Sequence, residues 1–349
     1  MAECKEVVPE SLTVCGRLDG SKEKRVARGL PEAPLHEAFD RLIVAQMGSG
    51  KKRAALTDWS FNLSKLPGLD PQQQRIQQRR RAELERACSA HGRPSSPLSA
   101  AALRHLIVDN RHRLLYCYVP KVASTNWKRV MQVLAGQAAE PLDIPASQAH
   151  SPGRLPTLDT YPPAGINHRL RHYLKFLFVR EPFERLVSAY RSKFAQARAH
   201  AFHRRYGTRI VRRHRQQPSA RARRSGADVT FAEFAWYLAD PRTRVRDGPF
   251  NEHWETVHAL CHPCRLRYDV LGRHETLAAD ARYLLALAGH EHPVAFPAPA
   301  PGSKGPTTLG MTAAYFRNLS AFYRRKLYRI YRLDYELFNY PVPTYLDSD

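Results

Sequence analysis

Residues 114–136 constrain the fold of this chain more strongly than any other stretch. Residues 114–119 form an uncharged run of aromatic and branched side chains that ends at Pro120, as a buried strand does. After a short polar loop, apolar residues recur at helical spacing from Trp127 to Ala135, with charged and amide side chains on the other side. The sequence therefore predicts a strand, a loop and a helix in direct succession.

The loop around Lys121 has the chemistry of an anion-binding site. Ser124, Thr125 and Asn126 are each plausible N-caps. Unpaired N–H groups at a helix start favour an anion, and Lys121 adds a full positive charge. The loop contains no glycine and lacks the spacing of the G-x-x-x-x-G-K-[ST] motif of nucleotide triphosphatases. For this stretch alone, an ordinary capped helix packed on a strand is the alternative.

Residues 175–194 repeat the same succession of elements. Residues 176–179 predict a short buried strand, Arg180 stands at its carboxyl end, and Pro182 suits the first turn of a helix. Ligands of open α/β sheets bind at the carboxyl ends of the strands. The sequence therefore predicts an α/β fold with a central, mostly parallel sheet flanked by helices and with both polar loops at one edge.

The positive charge of the chain restricts its partners. There are 55 lysines and arginines against 32 acidic residues, a formal charge of +23. This excess indicates a polyanionic partner, which could be nucleic acid, an acidic polysaccharide or an anionic membrane surface. Nine arginines fall within residues 202–224, which are either a solvated, partly disordered surface segment or a contact for a polyanion.

Six cysteines are too few for a disulfide scaffold in a chain of 349 residues. Cys261 and Cys264 form a C-x-x-C pair that could be redox-active or supply two zinc ligands. No second C-x-x-C pair completes a structural zinc site, so a structural disulfide is favoured, either between these two or with Cys88. Asn62 and Asn318 begin glycosylation acceptor triplets, which matter only if the chain enters the secretory route.

The N-terminal part of the chain is expected to lie outside the folded domain. Residues 1–70 contain neither an apolar run near the roughly 18 residues of a membrane span nor the core of a signal peptide. Residues 47–52, MGSGKK, are at best a fragment of a P-loop. Residues 71–90 predict a basic, solvated helix. We expect a stem-like or disordered region over 1–85 and one folded domain over 86–349.

Six strings of this sequence, in their order, resemble those of one family. They are YVPKVASTNWKRVM, INHRL, FLFVREPFERLVSAYRSKF, PFNEHW, CHPCRLRYD and LFNYPVPTYL. The chain resembles the Golgi carbohydrate sulfotransferases that act on N-acetylgalactosamine, and above all the chondroitin 4-O-sulfotransferases. This resemblance implies a single sulfotransferase domain with a P-loop-like donor site.

The resemblance also implies a reaction and its site. A sulfuryl group would pass from 3′-phosphoadenosine 5′-phosphosulfate to the 4-hydroxyl of N-acetylgalactosamine in chondroitin, and also in dermatan, with no metal required. Lys121 would offset charge growing on the departing 5′-phosphate, and Arg180 and Ser188 would hold the 3′-phosphate. The residues implied around the 5′-phosphosulfate are Lys121, Val122, Ala123, Ser124, Thr125, Asn126 and Trp127.

The acceptor hydroxyl must lose a proton, and a histidine is the usual base. His150 is predicted in this role, because it follows the first unit in a loop where related sulfotransferases tend to place a catalytic histidine. His168, Glu252 and His253 are the alternatives.

The resemblance implies a Golgi enzyme with a lumenal catalytic domain and an N-terminal membrane anchor, which residues 1–70 do not provide. A glycosaminoglycan is the expected partner, and no nucleic acid is expected. A different class of function stays open: a basic polyanion-binding protein with an unused nucleotide pocket. A P-loop kinase is not supported, because the motif near Lys51 is incomplete and no Mg²⁺-binding constellation is recognisable.

Overall fold

The structure is a computed structural model, and it describes residues 69–92, 96–197, 199–289, 294–298, 305 and 307–346. The P-loop fragment at 47–52, the acceptor triplet at Asn62 and the cysteines Cys4 and Cys15 lie outside these residues. The expectation of a stem-like or disordered N-terminal region stays a prediction.

The central sheet consists of β1 (Leu106–Asp109), β2 (Leu114–Cys117), β3 (Leu174–Val179) and β4 (Val270–Arg273). The strands lie side by side in chain order, with β1 antiparallel to β2 and with β2, β3 and β4 parallel. Their residues are buried except at the end of β4, which explains the continuous apolar runs of the sequence. The predicted mostly parallel sheet is confirmed.

Helices connect and flank the strands. In chain order they are α1 (Pro71–Ala90), α2 (Ser124–Leu134), α3 (Ala146–Ala149), α4 (Pro163–His172), α5 (Pro182–Lys193), α6 (His200–Phe202), α7 (Thr208–His214), α8 (Ala220–Ser225), α9 (Phe231–Ala239), α10 (Arg242–Asp247), α11 (Val257–Cys261), α12 (Leu277–Leu287), α13 (Leu309–Arg317) and α14 (Ala321–Leu337). Single turns of 3-10 helix occur at Ala100–Leu103, Pro141–Asp143, Leu158–Thr160 and His274–Thr276, and a π-helix at His203–Gly207. None of the helices that the structure describes is both long enough and apolar enough to cross a bilayer.

Two clusters of buried apolar side chains form the core. The first joins the sheet to α1, α2 and α12, and in it the Trp127 ring centroid lies 4.7 Å from that of Phe178. The second joins α5, α7, α9 and α14, and in it Phe183 stacks on Phe316 at 4.0 Å. The buried aromatic side chains of α13 and α14 are therefore part of this core.

Helix α1 is half-buried, whereas the sequence analysis favours a solvated helix. Arg80 donates to the Leu271 carbonyl of β4 at 2.7 Å and to the carboxylate of Asp280 in α12 at 2.9 Å. Asp280 is fully buried, and a buried charge requires such a partner. The helix is thus fixed to the sheet, and the predicted domain boundary at residue 86 falls inside it. Its buried face is formed by Gln77, Arg80, Leu84 and Cys88.

Two disulfides tie the sheet to its surroundings. Cys88 of α1 pairs with Cys264, one of the pairings that the sequence left open, and Cys117 at the end of β2 pairs with Cys261. The other option, a bond between Cys261 and Cys264, is wrong. The reason is tertiary, because Cys261 and Cys264 each pair with a cysteine that is 144 or 176 residues away in the sequence.

The segment before α11 also differs from the sequence prediction. Residues 252–254 by themselves predict the start of a helix, but residues 251–256 form a turn and the helix begins at Val257. The buried carboxylate of Asp334 accepts from the backbone N–H groups of Val257 and His258, at 2.6 and 2.9 Å. This long-range cap fixes where the helix begins, and it leaves the turn outside the helix.

Gly272 of β4 lies opposite Phe178 of β3, and a Cβ at Gly272 would lie 2.2 Å from the Phe178 ring. We expect Gly272→Ala to lower the free energy of unfolding by about 1–3 kcal/mol, because the ring or the strand must shift. Urea unfolding of the purified protein measures this. Gly310→Ala is the matched control, since a Cβ there meets open space. Equal stability of the Gly272→Ala and wild-type proteins would contradict the close packing.

Candidate active site

The loop after β2 is strained, and its helix lacks a side-chain cap. Lys121 and Ala123 have positive φ angles of 72° and 54°, which non-glycine residues rarely adopt and which recur at functional sites. Helix α2 begins at Ser124, and its N-cap is Ala123 without a capping hydrogen bond. The prediction that Ser124, Thr125 or Asn126 caps this helix is therefore wrong. The first-turn N–H groups are not taken up by a side-chain cap, and such groups favour an anion.

Positive charge converges on Lys121. Burial and neighbouring cations, led by Lys193 and Arg180 and followed by Arg191 and Arg185, lower the pKa of Lys121 to about 8. Three of these residues come from α5 and Arg180 precedes it, so the second strand–loop–helix unit supplies the charge that acts on the first. Cations held this close repel one another, and a bound anion relieves that repulsion.

Residues predicted around the 5′-phosphosulfate differ in their surroundings. The Val122 side chain is fully buried and Ser124 is nearly so. Thr125 is half-buried, and its Oγ1 lies 2.9 Å from the Nε2 of His150. Asn126 is also half-buried, and its Oδ1 accepts from Arg129 at 3.2 Å.

Trp127 belongs to the core rather than to the mouth of the loop. Its side chain is fully buried and packs between Phe178 and Phe296, with ring centroids 4.7 and 4.8 Å away. Its backbone N–H already donates to Ala123 within the helix at 3.1 Å. The role of Trp127 is thus to fix α2 against the sheet.

Arg180, which is predicted with Ser188 to bind a 3′-phosphate, already has partners within the protein. It is 4% exposed, its Nε and Nη2 donate to Glu184 at 3.2 and 3.1 Å, and Nη2 also donates to the Thr307 carbonyl at 2.5 Å. Arg191 donates to the Thr307 hydroxyl at 3.1 Å. Because Glu184, Ser188 and Arg191 are spaced by four and three residues, they share one face of α5.

His253 lies in the turn before α11, in the same electrostatic environment. Asn251 Nδ2 donates to the Tyr206 hydroxyl at 3.3 Å, so Asn251 Oδ1 faces His253 and accepts from its backbone N–H and from its Nδ1, at 3.1 and 2.7 Å. Nδ1 therefore carries the proton, and Nε2 keeps its lone pair. Burial and nearby cations, led by Lys193 and Lys121, lower the pKa of His253 to about 2.

The other candidates for the base are placed differently. His150 is exposed at the surface, but partial desolvation of its ring by the surrounding protein, together with Lys128, Lys193 and Arg129, lowers its pKa. Glu252 accepts from the Tyr118 hydroxyl at 3.2 Å and so lies beside the loop after β2. His168 precedes β3 in α4 and stacks on His172, at the amino end of the parallel strands and away from Lys121.

Comparison with known proteins now decides the family. A model of the sulfotransferase family matches residues 104–341, which include every residue of the site. The chain is 52% identical to carbohydrate sulfotransferase 11 of Rattus norvegicus, over 76% of this chain and 75% of the relative. It is 40% identical to carbohydrate sulfotransferase 14 of Danio rerio, over 78% and 74% of the two chains. It is 37% identical to carbohydrate sulfotransferase 12 of Mus musculus, over 94% and 82%.

The chain belongs to the sulfotransferase family. It is a carbohydrate sulfotransferase, and its acceptor is a carbohydrate. No solved structure matches it significantly. Within the described ranges, no group of three or more histidine, cysteine or acidic side chains is arranged to hold a metal ion.

Three cations of this sulfotransferase escaped the sequence analysis: Arg185, Arg191 and Lys193. Arg191 had a signal, because it follows Ser188 at a spacing that puts both on one helical face. Arg185 had none. Its guanidinium is buried and donates to the carbonyls of Pro120, Glu252 and Glu255, which are 65 to 70 residues away in the sequence.

Anion binding should change the protonation of Lys121. With a pKa near 8, about half of the Lys121 side chains are neutral at pH 8, and a bound phosphate raises that pKa. We expect the protein to take up about half a proton at pH 8 when it binds adenosine 3′,5′-bisphosphate, which serves as the probe. Calorimetry in buffers of different ionisation enthalpy measures this uptake. Lys121→Met should abolish this uptake, and an unchanged uptake in that variant would contradict the assignment to Lys121.

Proposed function

We propose that this sulfotransferase transfers a sulfuryl group from 3′-phosphoadenosine 5′-phosphosulfate to the 4-hydroxyl of N-acetylgalactosamine in chondroitin, with dermatan as a second acceptor. The observation that carries the donor is the convergence of cations on Lys121, which lowers its pKa to about 8. A donor with phosphate groups at two positions fits two neighbouring cationic loops. The acceptor rests on the resemblance to chondroitin 4-O-sulfotransferases.

The loop after β2 would hold the 5′-phosphosulfate. The groups that would donate hydrogen bonds to it are the first-turn N–H groups of α2, the Thr125 hydroxyl and the Lys121 ammonium. The positive φ at Lys121 sets the backbone conformation of this loop. Val122, Ala123, Ser124 and Asn126 would contribute through the backbone of the same turn. The donor supplies the sulfuryl group and leaves as a bisphosphate.

Arg180 and Ser188 would bind the 3′-phosphate, with Arg191 as a third ligand. Arg180 is already paired with Glu184, so it can only share its guanidinium with a phosphate. Arg191 is half-buried and reaches the same Thr307 as Arg180, through the hydroxyl instead of the carbonyl. These two arginines would therefore hold the phosphate together, Arg180 from the loop before α5 and Arg191 from the last turn of that helix.

Sulfuryl transfer resembles phosphoryl transfer in its loose, nearly in-line transition state, so positioning and charge stabilisation carry most of the catalysis. Lys121 would offset the charge that grows on the departing phosphate oxygen. The bound donor raises the lowered pKa of Lys121, so the side chain carries its full positive charge before transfer begins.

A histidine would accept the proton of the acceptor hydroxyl. We propose His150 for this role, because it is exposed and lies beside Thr125 of the donor loop. His253 is a second candidate, favoured by the hydrogen bond to Asn251 that leaves its Nε2 unprotonated. Donor binding would raise the pKa of either histidine, because its negative charge offsets the cations that lower them.

The Golgi lumen is the proposed compartment. Two disulfides join distant parts of the domain, and such bonds persist in oxidising compartments. Asn318 of the second acceptor triplet is exposed between α13 and α14. The alternative, a polyanion-binding protein with an unused nucleotide pocket, is not favoured, because the relatives carry the names of enzymes.

Removing the cations of the donor site should abolish transfer. We expect Lys121→Ala to lower kcat about 100- to 1,000-fold in an assay with labelled donor and desulfated chondroitin, because one stabilising group at the developing charge is lost. Arg180→Ala alone would leave Glu184 buried without its partner, so the double variant Arg180→Ala, Glu184→Ala isolates the loss of donor affinity. Lys326→Ala, on α14, is the control. Undiminished transfer by both site variants would refute these roles.

The base can be identified by comparing His150→Ala with His253→Ala. We expect His150→Ala to lower kcat by about 100-fold or more with donor affinity unchanged, because only proton transfer is lost. In the wild-type enzyme the rate should fall as the pH drops below the pKa of the base in the complex. Normal turnover by His150→Ala together with loss in His253→Ala would assign the role to His253.

A further inference from the structure

Residues 199–226 form a folded helical hairpin, which we call the arginine hairpin. It consists of α6, the π-helix, α7 and α8, and its sequence contains no acidic residue. The backbones of its two arms touch, since a Cβ at Gly207 would lie 2.1 Å from the Gly226 carbonyl oxygen. Its apolar face is buried, formed by Tyr206, Ile210, Val211 and Ala222. Of the two interpretations of the arginine-rich stretch, a partly disordered segment is thus excluded for these residues.

Two of its arginines fasten the hairpin to the rest of the domain. Arg213 donates through both Nη atoms to Asp247, at 2.8 and 3.0 Å. Arg215 forms a similar pair with Glu233, at 2.6 and 2.9 Å, and also reaches Asp228 at 2.8 Å. These bidentate pairs hold the hairpin in one orientation.

The remaining arginines are exposed and not used in this way. Arg205, Arg209 and Arg212 follow one another at spacings of four and three residues, so they share the side of the helix opposite the apolar face. Arg209 approaches Asp247 only to 3.7 Å. Within the described part of the chain, no carboxylate pairs with Arg204, Arg205, Arg212, Arg221, Arg223 or Arg224.

The hairpin begins at the active site. The Phe202 ring centroid lies 4.4 Å from the Lys193 Nζ and 5.3 Å from the ring of His253. Lys193 is the leading cation beside Lys121, so positive charge continues from the donor loop onto the hairpin. A run of 12 residues from the π-helix through α7 extends this charge by about 18 Å at 1.5 Å per residue.

We propose that the arginine hairpin binds the anionic polysaccharide that flanks the acceptor sugar, through its carboxylate and sulfate groups. This rests on the proposed glycosaminoglycan acceptor. The large aromatic side chains of the hairpin, Phe202 and Tyr206, are half-buried and buried against Trp254, which leaves little apolar surface to stack on nucleic acid bases or to enter a membrane. Because the hairpin contacts the active site, its favoured ligand is the polysaccharide that the enzyme modifies.

The test removes charge from the hairpin without touching its fastening arginines. The variant carries Arg204→Gln, Arg205→Gln, Arg209→Gln and Arg212→Gln, which keep helix propensity. The control replaces four exposed arginines elsewhere and loses the same charge: Arg111→Gln, Arg282→Gln, Arg317→Gln and Arg329→Gln. Thermal unfolding of both proteins checks that the fold is intact.

Binding is measured without donor, on chondroitin 4-sulfate chains over a range of salt concentrations. We expect the hairpin variant to bind about 30-fold more weakly, from four exposed ion pairs, and with a smaller salt dependence than the control. We expect its kcat/KM on desulfated chondroitin polymer to fall to a similar extent, while that on an unsulfated tetrasaccharide changes less than about threefold.

Equal binding by the hairpin and control variants would overturn the proposal. So would an equal loss of activity on polymer and tetrasaccharide, and so would tighter binding of wild-type protein to RNA or to anionic vesicles than to chondroitin 4-sulfate. If no sulfate is transferred to either acceptor, the proposed function fails, whereas the binding comparison still judges the hairpin.

Discussion

The active site depends on one buried side chain, Arg185. Its guanidinium donates to the carbonyls of Pro120, Glu255 and Glu252, at 3.0, 2.6 and 2.9 Å. It thereby joins the residue before Lys121 to the turn that carries His253. Hydrogen bonds from a charged donor are worth about 1.5–3 kcal/mol each, and a carbonyl left buried without one costs about as much. The Tyr118 hydroxyl, which donates to Glu252 at 3.2 Å, adds a second link between the same two segments.

Around this arginine the structure concentrates like charge and backbone strain. Lys121 has a positive φ, and burial with four neighbouring cations lowers its pKa to about 8. Such an arrangement is unfavourable by itself, since desolvated cations repel one another. Burial of apolar side chains in the two core clusters offsets the cost. A bound anion relieves the repulsion between these cations, and this relief contributes to the free energy of anion binding.

The turn that carries His253 and the helix α11 after it are held by three separate interactions. Asp334 of α14 caps α11, the Cys117–Cys261 bond ties the end of that helix to β2, and Arg185 holds the turn before it. The arginine hairpin contacts the same turn, because the ring of Phe202 packs against the ring of His253. The donor loop, His253 and the hairpin therefore meet in one region, although Lys121 and His253 are 132 residues apart in the chain.

The sequence by itself determined the two strand–loop–helix units, the mostly parallel sheet and the family, because buried strands, helical periodicity and local motifs are properties of short stretches. It also brought Lys121 and Arg180 to one edge, since the carboxyl ends of parallel strands coincide. Only the tertiary structure decided that Arg180 is shared with Glu184, that Asn251 fixes the tautomer of His253, and that Cys117 takes Cys261. Only the tertiary structure, likewise, shows that α1 packs against the sheet, where the sequence predicts a solvated helix. Each of these depends on a partner from a distant segment, and a pattern of neighbouring residues does not specify such a partner.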